Sequence, residues 1–138
     1  MTALVEYLCN MSMDAYTMVR PEHLNHHGYL FGGQLLKWVD EYAWLAAARE
    51  NPGCKLVTRA MNSIEFVRSA PVGAILRFHV ALEERGRTSI SYRTEVWCDP
   101  VSGKHDEYLI FSTAVTFVNV DGDGNKIPLC AATCPDDK

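Results

Sequence analysis

The stretch Asn25-His26-His27-Gly28-Tyr29-Leu30-Phe31-Gly32-Gly33-Gln34-Leu35-Leu36-Lys37-Trp38-Val39-Asp40-Glu41 decides how this chain folds. A turn rich in His and Asn gives way at Gly32-Gly33 to a long apolar run, which Asn51-Pro52-Gly53 closes. The spacing predicts a helix over 31–49, about 28 Å long at a rise of about 1.5 Å per residue. Leu35, Leu36, Trp38, Val39, Tyr42, Ala43, Trp44, Leu45, Ala46 and Ala47 leave it apolar nearly all round. Such a helix is predicted to be buried, wrapped by a sheet or by a subunit interface. Asp40 stands seven residues after Gly33, and seven steps of about 100° return both to one face, about 10 Å apart along the axis. The N–H groups at Gly32 and Gly33 would be free at the helix start, where the dipole favours negative charge. An anion-binding helix end with a carboxylate on the same face suits attack on a carbonyl.

Downstream the period changes from helical to two. Leu76, Phe78, Val80 and Leu82 alternate with Arg77, His79, Ala81 and Glu83; Ile90, Tyr92, Thr94, Val96 and Cys98 and then Phe111, Thr113, Val115 and Phe117 alternate with mostly polar or small residues, Trp97 and Val118 excepted. Each run reads as a strand with one buried face. A less regular strand is expected from Leu56 to Val67, ended by Ala70-Pro71-Val72-Gly73, and a weak one near Ala15 to Val19. Glu84-Arg85-Gly86-Arg87 reads as a hairpin turn. One long helix followed by an antiparallel meander is an α+β pattern, best satisfied by a sheet curled around the helix. The expected organisation is one domain over 1–120, with a loose tail over 121–138 ending in Asp136-Asp137-Lys138.

Bulk properties narrow the function. At 138 residues, 48% hydrophobic and 22% charged, the chain has room for one domain with a real core. A net charge of −4 argues against nucleic acid as the main partner. No run of about 18 apolar residues suggests a membrane span, and the start, with Glu6 early, does not read as a signal peptide. Five scattered cysteines, Cys9, Cys54, Cys98, Cys130 and Cys134, read as reduced thiols, so the expected location is cytoplasmic.

The residues by themselves leave several readings open. Gly32-Gly33 alone can be a silent turn, and Asp40 can face solvent or pair with Lys37 at i−3. Against this, a charge is costly on a helix this apolar unless it is paired or functional. Glu41, about 100° round, reads as solvated. His23, His26 and His27 invite a metal reading, but the Gly28 turn opposes the helix that an i,i+4 zinc pair needs, so no metal and no cofactor are expected. Asn25 can orient a water or polarise a carbonyl, or simply shape the turn. Asp121-Gly122-Asp123-Gly124-Asn125 lacks the glycine and the final Glu of a calcium loop and reads as a turn. Cys130 and Cys134 lack a second ligand pair for zinc, and no G-x-S-x-G nucleophile elbow is present. Arg85-Gly86-Arg87-Thr88-Ser89 can grip phosphates or be a solvated hairpin tip.

Taken in order, Asn25-His-His-Gly28, Phe31-Gly32-Gly33 and Asp40-Glu41 resemble the signature of hotdog-fold acyl-CoA thioesterases, in the branch of broad-specificity cytosolic acyl-CoA hydrolases. The likeness continues through Phe66, Pro71-Val72-Gly73, Gly86-Arg87-Thr88-Ser89-Ile90 and Glu95-Val96-Trp97, covering most of the span from Pro21 to Val118. The resemblance implies a sheet wrapped around the central helix and sites shared across a dimer, often in trimers of dimers. It implies metal-independent hydrolysis of acyl-CoA to CoA and a carboxylic acid. Asp40 would be general base or nucleophile, Asn25 of the partner subunit would place water or substrate, and the Gly32 and Gly33 amides would hold the thioester oxygen. Arg87 and Ser89 would bind CoA, with Thr88, His26 and Phe31 completing the substrate-binding set. Asn62 departs from the pattern, which often has an acidic residue there, and the stretch from Val101 to Tyr108 is longer and more polar than the pattern implies. A hotdog hydratase or dehydratase using His26 or His27, and a non-catalytic acyl-CoA-binding protein, are the alternatives.

Overall fold

Phe31 is the last extended residue before the long helix, with φ −70° and ψ 129°. In the computed structural model, which describes residues 12–103 and 106–130, helix α1 runs Gly32–Glu50. It starts one residue after the expected start and ends one residue past the expected end. Asn51 closes the helix twice over: its N–H bonds the Ala47 carbonyl at 3.0 Å and its Nδ2 bonds the same oxygen at 2.8 Å. Cys9, Cys134 and the Asp136-Asp137-Lys138 end lie outside the described residues.

Leu35, Trp38, Val39, Ala43, Ala46 and Ala47 are buried and follow one helical stripe. The three alanines let the helix approach the sheet closely. Burial all round is not what the structure shows: Trp44 is 42% exposed and Leu45 39% exposed. The reason is geometric, since one curled sheet covers only one side of a helix.

The strands are β1 (Ser12–Met18), β2 (Leu56–Phe66), β3 (Ile75–Arg85), β4 (Ser89–Asp99) and β5 (Tyr108–Asn119). They form one sheet in the order β1-β3-β4-β5-β2, each neighbouring pair antiparallel. The α+β, hotdog-type reading of the sequence therefore holds. Leu76, Phe78, Val80, Ile90, Tyr92, Val96, Phe111, Val115 and Phe117 face the helix, all buried, as the alternation predicts. Phe78 sits at the centre, its ring 4.7 Å from that of Tyr42 and 6.2 Å from that of Trp38.

The irregular strand expected over 56–67 is β2, and its irregularity is structural. Register slips against β5 between Thr58 and Ala60 and again between Asn62 and Glu65, and Ser63 takes φ 56°. Bulges of this kind are typical of edge strands, where they bend the strand and re-aim side chains. The strand expected near Ala15 to Val19 begins earlier and is the opposite edge, with Ser12 against Ala81 and Met18 against Ile75.

Residues 121–130, part of the stretch expected to be loose, make several bonds back to the domain. Ile127 N–H reaches the Asn119 carbonyl at 3.0 Å, Leu129 N–H the Arg87 carbonyl at 2.9 Å and Cys130 N–H the Cys54 sulfur at 3.1 Å. Asp121 accepts from the N–H groups of Asp123 and Asn125 at 2.9 Å each, which is the turn its sequence implied. No helix among the described residues is long and apolar enough to cross a membrane.

A polar network caps the C-terminal end of α1. The Tyr92 hydroxyl donates to Glu50, and Arg85 donates to Asn51 Oδ1 at 2.7 Å and to the Cys130 carbonyl. Burial pushes the Glu50 carboxyl above the usual glutamate range, against the opposing pull of the Tyr92 bond and Arg49. The unfolded chain thus releases this proton at lower pH than the fold does. The group's full contribution is present below its unfolded value and is lost as pH rises through the folded one. Glu50→Gln, which keeps an acceptor for Tyr92, should therefore raise Tm at pH 7 by about 1–3 °C, an effect small because the side chain is partly solvated. Thermal melts at pH 7 and pH 4 check this, with the gap closing at pH 4.

Candidate active site

The amino end of α1 offers three unused donors. Leu35 is the first residue of the helix whose N–H finds a carbonyl, that of Phe31 at 3.1 Å. The N–H groups of Gly32, Gly33 and Gln34 have no acceptor among the described residues. Neither glycine takes unusual dihedrals, and of the two only Gly33 sits where a side chain would be crowded. A Cβ on Gly33 would lie 2.6 Å from the Phe31 ring, and one on Gly32 would lie 3.4 Å from the Phe66 ring. These two rings, 55% and 53% exposed, flank a helix end whose dipole and free N–H groups favour an anion.

Asp40 is half-buried on the same face. Its Oδ1 accepts the Thr58 hydroxyl proton at 2.6 Å. No ion pair joins Asp40 to Lys37 among the described residues, so neither simple solvation nor the i−3 pairing describes it. Helical side chains tilt toward the amino end, so the carboxylate lies over the turn before its own Cα. That narrows the axial gap between the carboxylate and Gly33.

Strand β2 runs back along this face of α1. Trp44 Nε1–H donates to the Leu56 carbonyl at 3.1 Å, Thr58 meets Asp40, and Phe66 reaches Gly32. Thr58 was missed in the sequence. It lies 18 residues from Asp40, and only the packing of β2 against the helix brings the two together.

Other expected site residues stand apart from this pair. Asn25 Oδ1 accepts from the N–H groups of His27 at 2.9 Å and Tyr29 at 3.2 Å, so it shapes the turn, while its Nδ2 has no partner among the described residues. Nothing bonds Asn25 to Asp40 within the protomer. His26 and His27 are exposed with ring centroids 3.9 Å apart, whereas His23 turns inward, its Nδ1 taking the Arg20 N–H at 3.0 Å and its ring edge meeting Trp38. Among the described residues no three His, Cys, Asp or Glu side chains converge on a metal position.

The hairpin of Arg87, Thr88 and Ser89 joins β3 to β4, with the Gly86 N–H bonded to the Ser89 carbonyl at 2.8 Å. Its base is anchored by Arg85 to Asn51, past the carboxyl end of α1. Arg87 is exposed, and its hairpin sits at the other end of α1 from Gly32 and Gly33, a helix about 28 Å long at about 1.5 Å per residue. Asn62, the departure in the sequence, falls in the second bulge of β2; its carbonyl takes the Thr113 hydroxyl at 2.9 Å.

Residues 27–102 match the model of the thioesterase superfamily. The chain belongs to that superfamily. It is 30% identical over 115 residues to the acyl-CoA thioester hydrolase YciA of Salmonella typhimurium, covering 82% of this chain and 86% of that one. It is also 32% identical over 101 residues to mouse acyl-coenzyme A thioesterase 11, of whose length it spans 17%. Among solved structures, HI0827, a hexameric broad-specificity acyl-coenzyme A thioesterase, superposes with a TM-score of 0.78 at 26% identity, covering 85% of each chain. The acyl-CoA hydrolase from Staphylococcus aureus in complex with butyryl-CoA and CoA gives 0.77 at 26% identity, covering 86% of this chain and 71% of that one. That hydrolase has also been solved with an Asn, an Asp and a Thr each replaced by alanine.

Proposed function

We propose that this superfamily member hydrolyses acyl-CoA to free CoA and a carboxylic acid, with no metal and no other cofactor. The observation that carries the reading is Asp40, held by Thr58, on the helix face that begins with the unused Gly32 and Gly33 N–H groups. The thioester oxygen rests on those N–H groups, and charge growing on it is met by the helix end. Asp40 takes a proton from water as the water oxygen bonds the carbonyl carbon, or attacks with its own oxygen. The C–S bond then breaks and the CoA sulfur leaves, taking up a proton; on the nucleophilic route this leaves an acyl anhydride on Asp40, which water hydrolyses to the carboxylic acid and free Asp40. In the Staphylococcus aureus hydrolase the replaced Asn and Asp stand the same interval apart in sequence as Asn25 and Asp40. That supports giving both residues site roles here.

The unit we propose is a dimer with two shared sites, assembled further as a trimer of dimers. Asn25 of the partner subunit faces Asp40, and Arg87, Thr88 and Ser89 grip the phosphates of CoA from a neighbouring subunit, with His26 and Phe31 beside the substrate. The open edge of β2 and the exposed Val57, Ile64, Phe66 and Val67 supply a surface for such association. Hexameric relatives fit this assembly. Unpaired thiols at Cys54, Cys98 and Cys130 suit a reducing compartment, and we assign the cytoplasm.

A thiol-release assay tests the reading. The wild-type protein should free CoA thiol from acyl-CoA, whereas a hydratase would consume enoyl-CoA without releasing thiol, and a sensor would bind acyl-CoA with no turnover. Mixing Asp40→Ala with Asn25→Ala subunits should restore up to about a quarter of the sites of wild type in a random dimer population, since one hybrid site then holds both native residues. Absence of recovery with subunit exchange verified by mass spectrometry would reject the shared site.

A further inference from the structure

Of the aromatics on α1, Trp38 is buried and Tyr42 packs on Phe78, but Trp44 remains 42% exposed. It stands four positions after Asp40, so it lies one turn further along the same face, about 6 Å away on the axis. Its indole is not free to swing. The Nε1–H bond to the Leu56 carbonyl at 3.1 Å fastens it across from the helix to β2. The face therefore reads, from the amino end, as open N–H groups at Gly32 and Gly33, then Asp40 with Thr58, then a fixed aromatic wall.

A thioester with its oxygen on the glycine N–H groups sends one substituent toward the amino end of α1 and the other toward Trp44. The CoA arm is long and polyanionic, and it requires solvent and cations. The short run ending at an indole fits the uncharged acyl group instead. We infer that Trp44 is the end wall of the acyl site and restricts the substrate to acyl groups of a few carbons. This rests on the hydrolase reading above, since it assigns the substrate class of that same site.

The test is a series of kcat/KM values for acetyl-, butyryl-, hexanoyl-, decanoyl- and palmitoyl-CoA by thiol release, on wild type, Trp44→Ala, Trp44→Leu and Trp44→Phe. In wild type the values should fall beyond hexanoyl-CoA. In Trp44→Ala the palmitoyl-to-butyryl ratio should rise at least about tenfold, the scale on which a few methylenes are discriminated in an apolar pocket. Trp44→Leu, which fills more of the space, should shift the ratio in the same direction and carries the test if the alanine variant fails to fold, whereas Trp44→Phe keeps most of the ring and should hold the wild-type ratio. A wild type that prefers palmitoyl-CoA, or an active Trp44→Ala or Trp44→Leu protein whose chain-length profile parallels wild type, overturns the inference while leaving the hydrolase reading intact. Absence of thiol release by wild type from every acyl-CoA in the series overturns the hydrolase reading and this inference with it.

Discussion

Asp40→Asn should lower kcat for acyl-CoA hydrolysis by about 10³-fold or more and leave a folded protein. General-base catalysis and a single preorganised donor are each worth about 10²–10⁴ and 10²–10³ in rate, respectively. An amide at this position still accepts the Thr58 hydroxyl, which bonds Oδ1 at 2.6 Å, so packing between α1 and β2 survives. What is lost is the ability to take a proton from water or to attack. Thr58→Val serves as the graded counterpart. It removes the hydroxyl that aims the carboxylate, and kcat should fall by about 10–100-fold with a smaller change in KM. Adding Thr58→Val to Asp40→Asn should cost little more, because residues acting as a unit are strongly non-additive. Steady-state kinetics with circular dichroism as a fold control read all three variants. Near-normal turnover by a well-folded Asp40→Asn or Asp40→Ala protein rejects the mechanism.

Phe78→Ala should destabilise the domain by about 3–5 kcal/mol, a large share of the roughly 5–15 kcal/mol that holds a domain together. Phe78 is fully buried, and its strand lies between β1 and β4, facing Ala15 on one side and Val96 on the other. Its ring closes the space between the sheet and the helix rings of Trp38 and Tyr42. Alanine would leave a cavity lined by groups on three elements, none of which can relax without moving the others. Urea unfolding followed by tryptophan fluorescence measures the loss at fixed protein concentration, since oligomerisation contributes to apparent stability. A loss below about 1.5 kcal/mol would mean that the core collapses around the gap, and that the helix is held mainly from its other side.

Local patterns were enough to place the elements. An alternation such as Leu76, Phe78 and Val80 can bury only one face, and the apolar run after Gly33 is too long for a strand. They were weaker where an element meets solvent or a neighbour. β1 and β2 are the sheet edges, so their side chains are under less pressure to alternate, and β2 carries bulges that blur its period. Trp44 and Leu45 made α1 look buried all round because apolarity alone does not tell a core from a binding surface.

By itself, the sequence determined the helix, the strands, and the alignment of Gly33 with Asp40, because these depend on residues near in the chain and on fixed backbone periods. Asn25, Asp40, Gly32, Gly33 and the Arg87 hairpin were also legible as ordered motifs, though not as one place. Only the tertiary structure decided which of them meet. It set Thr58 against Asp40, brought the Phe66 ring over Gly32, and left Asn25 and Arg87 away from Asp40. The physical reason is the sheet order, which carries β2 past β5 to an edge beside the helix. Contacts made that way join residues far apart in sequence, and no local period encodes them.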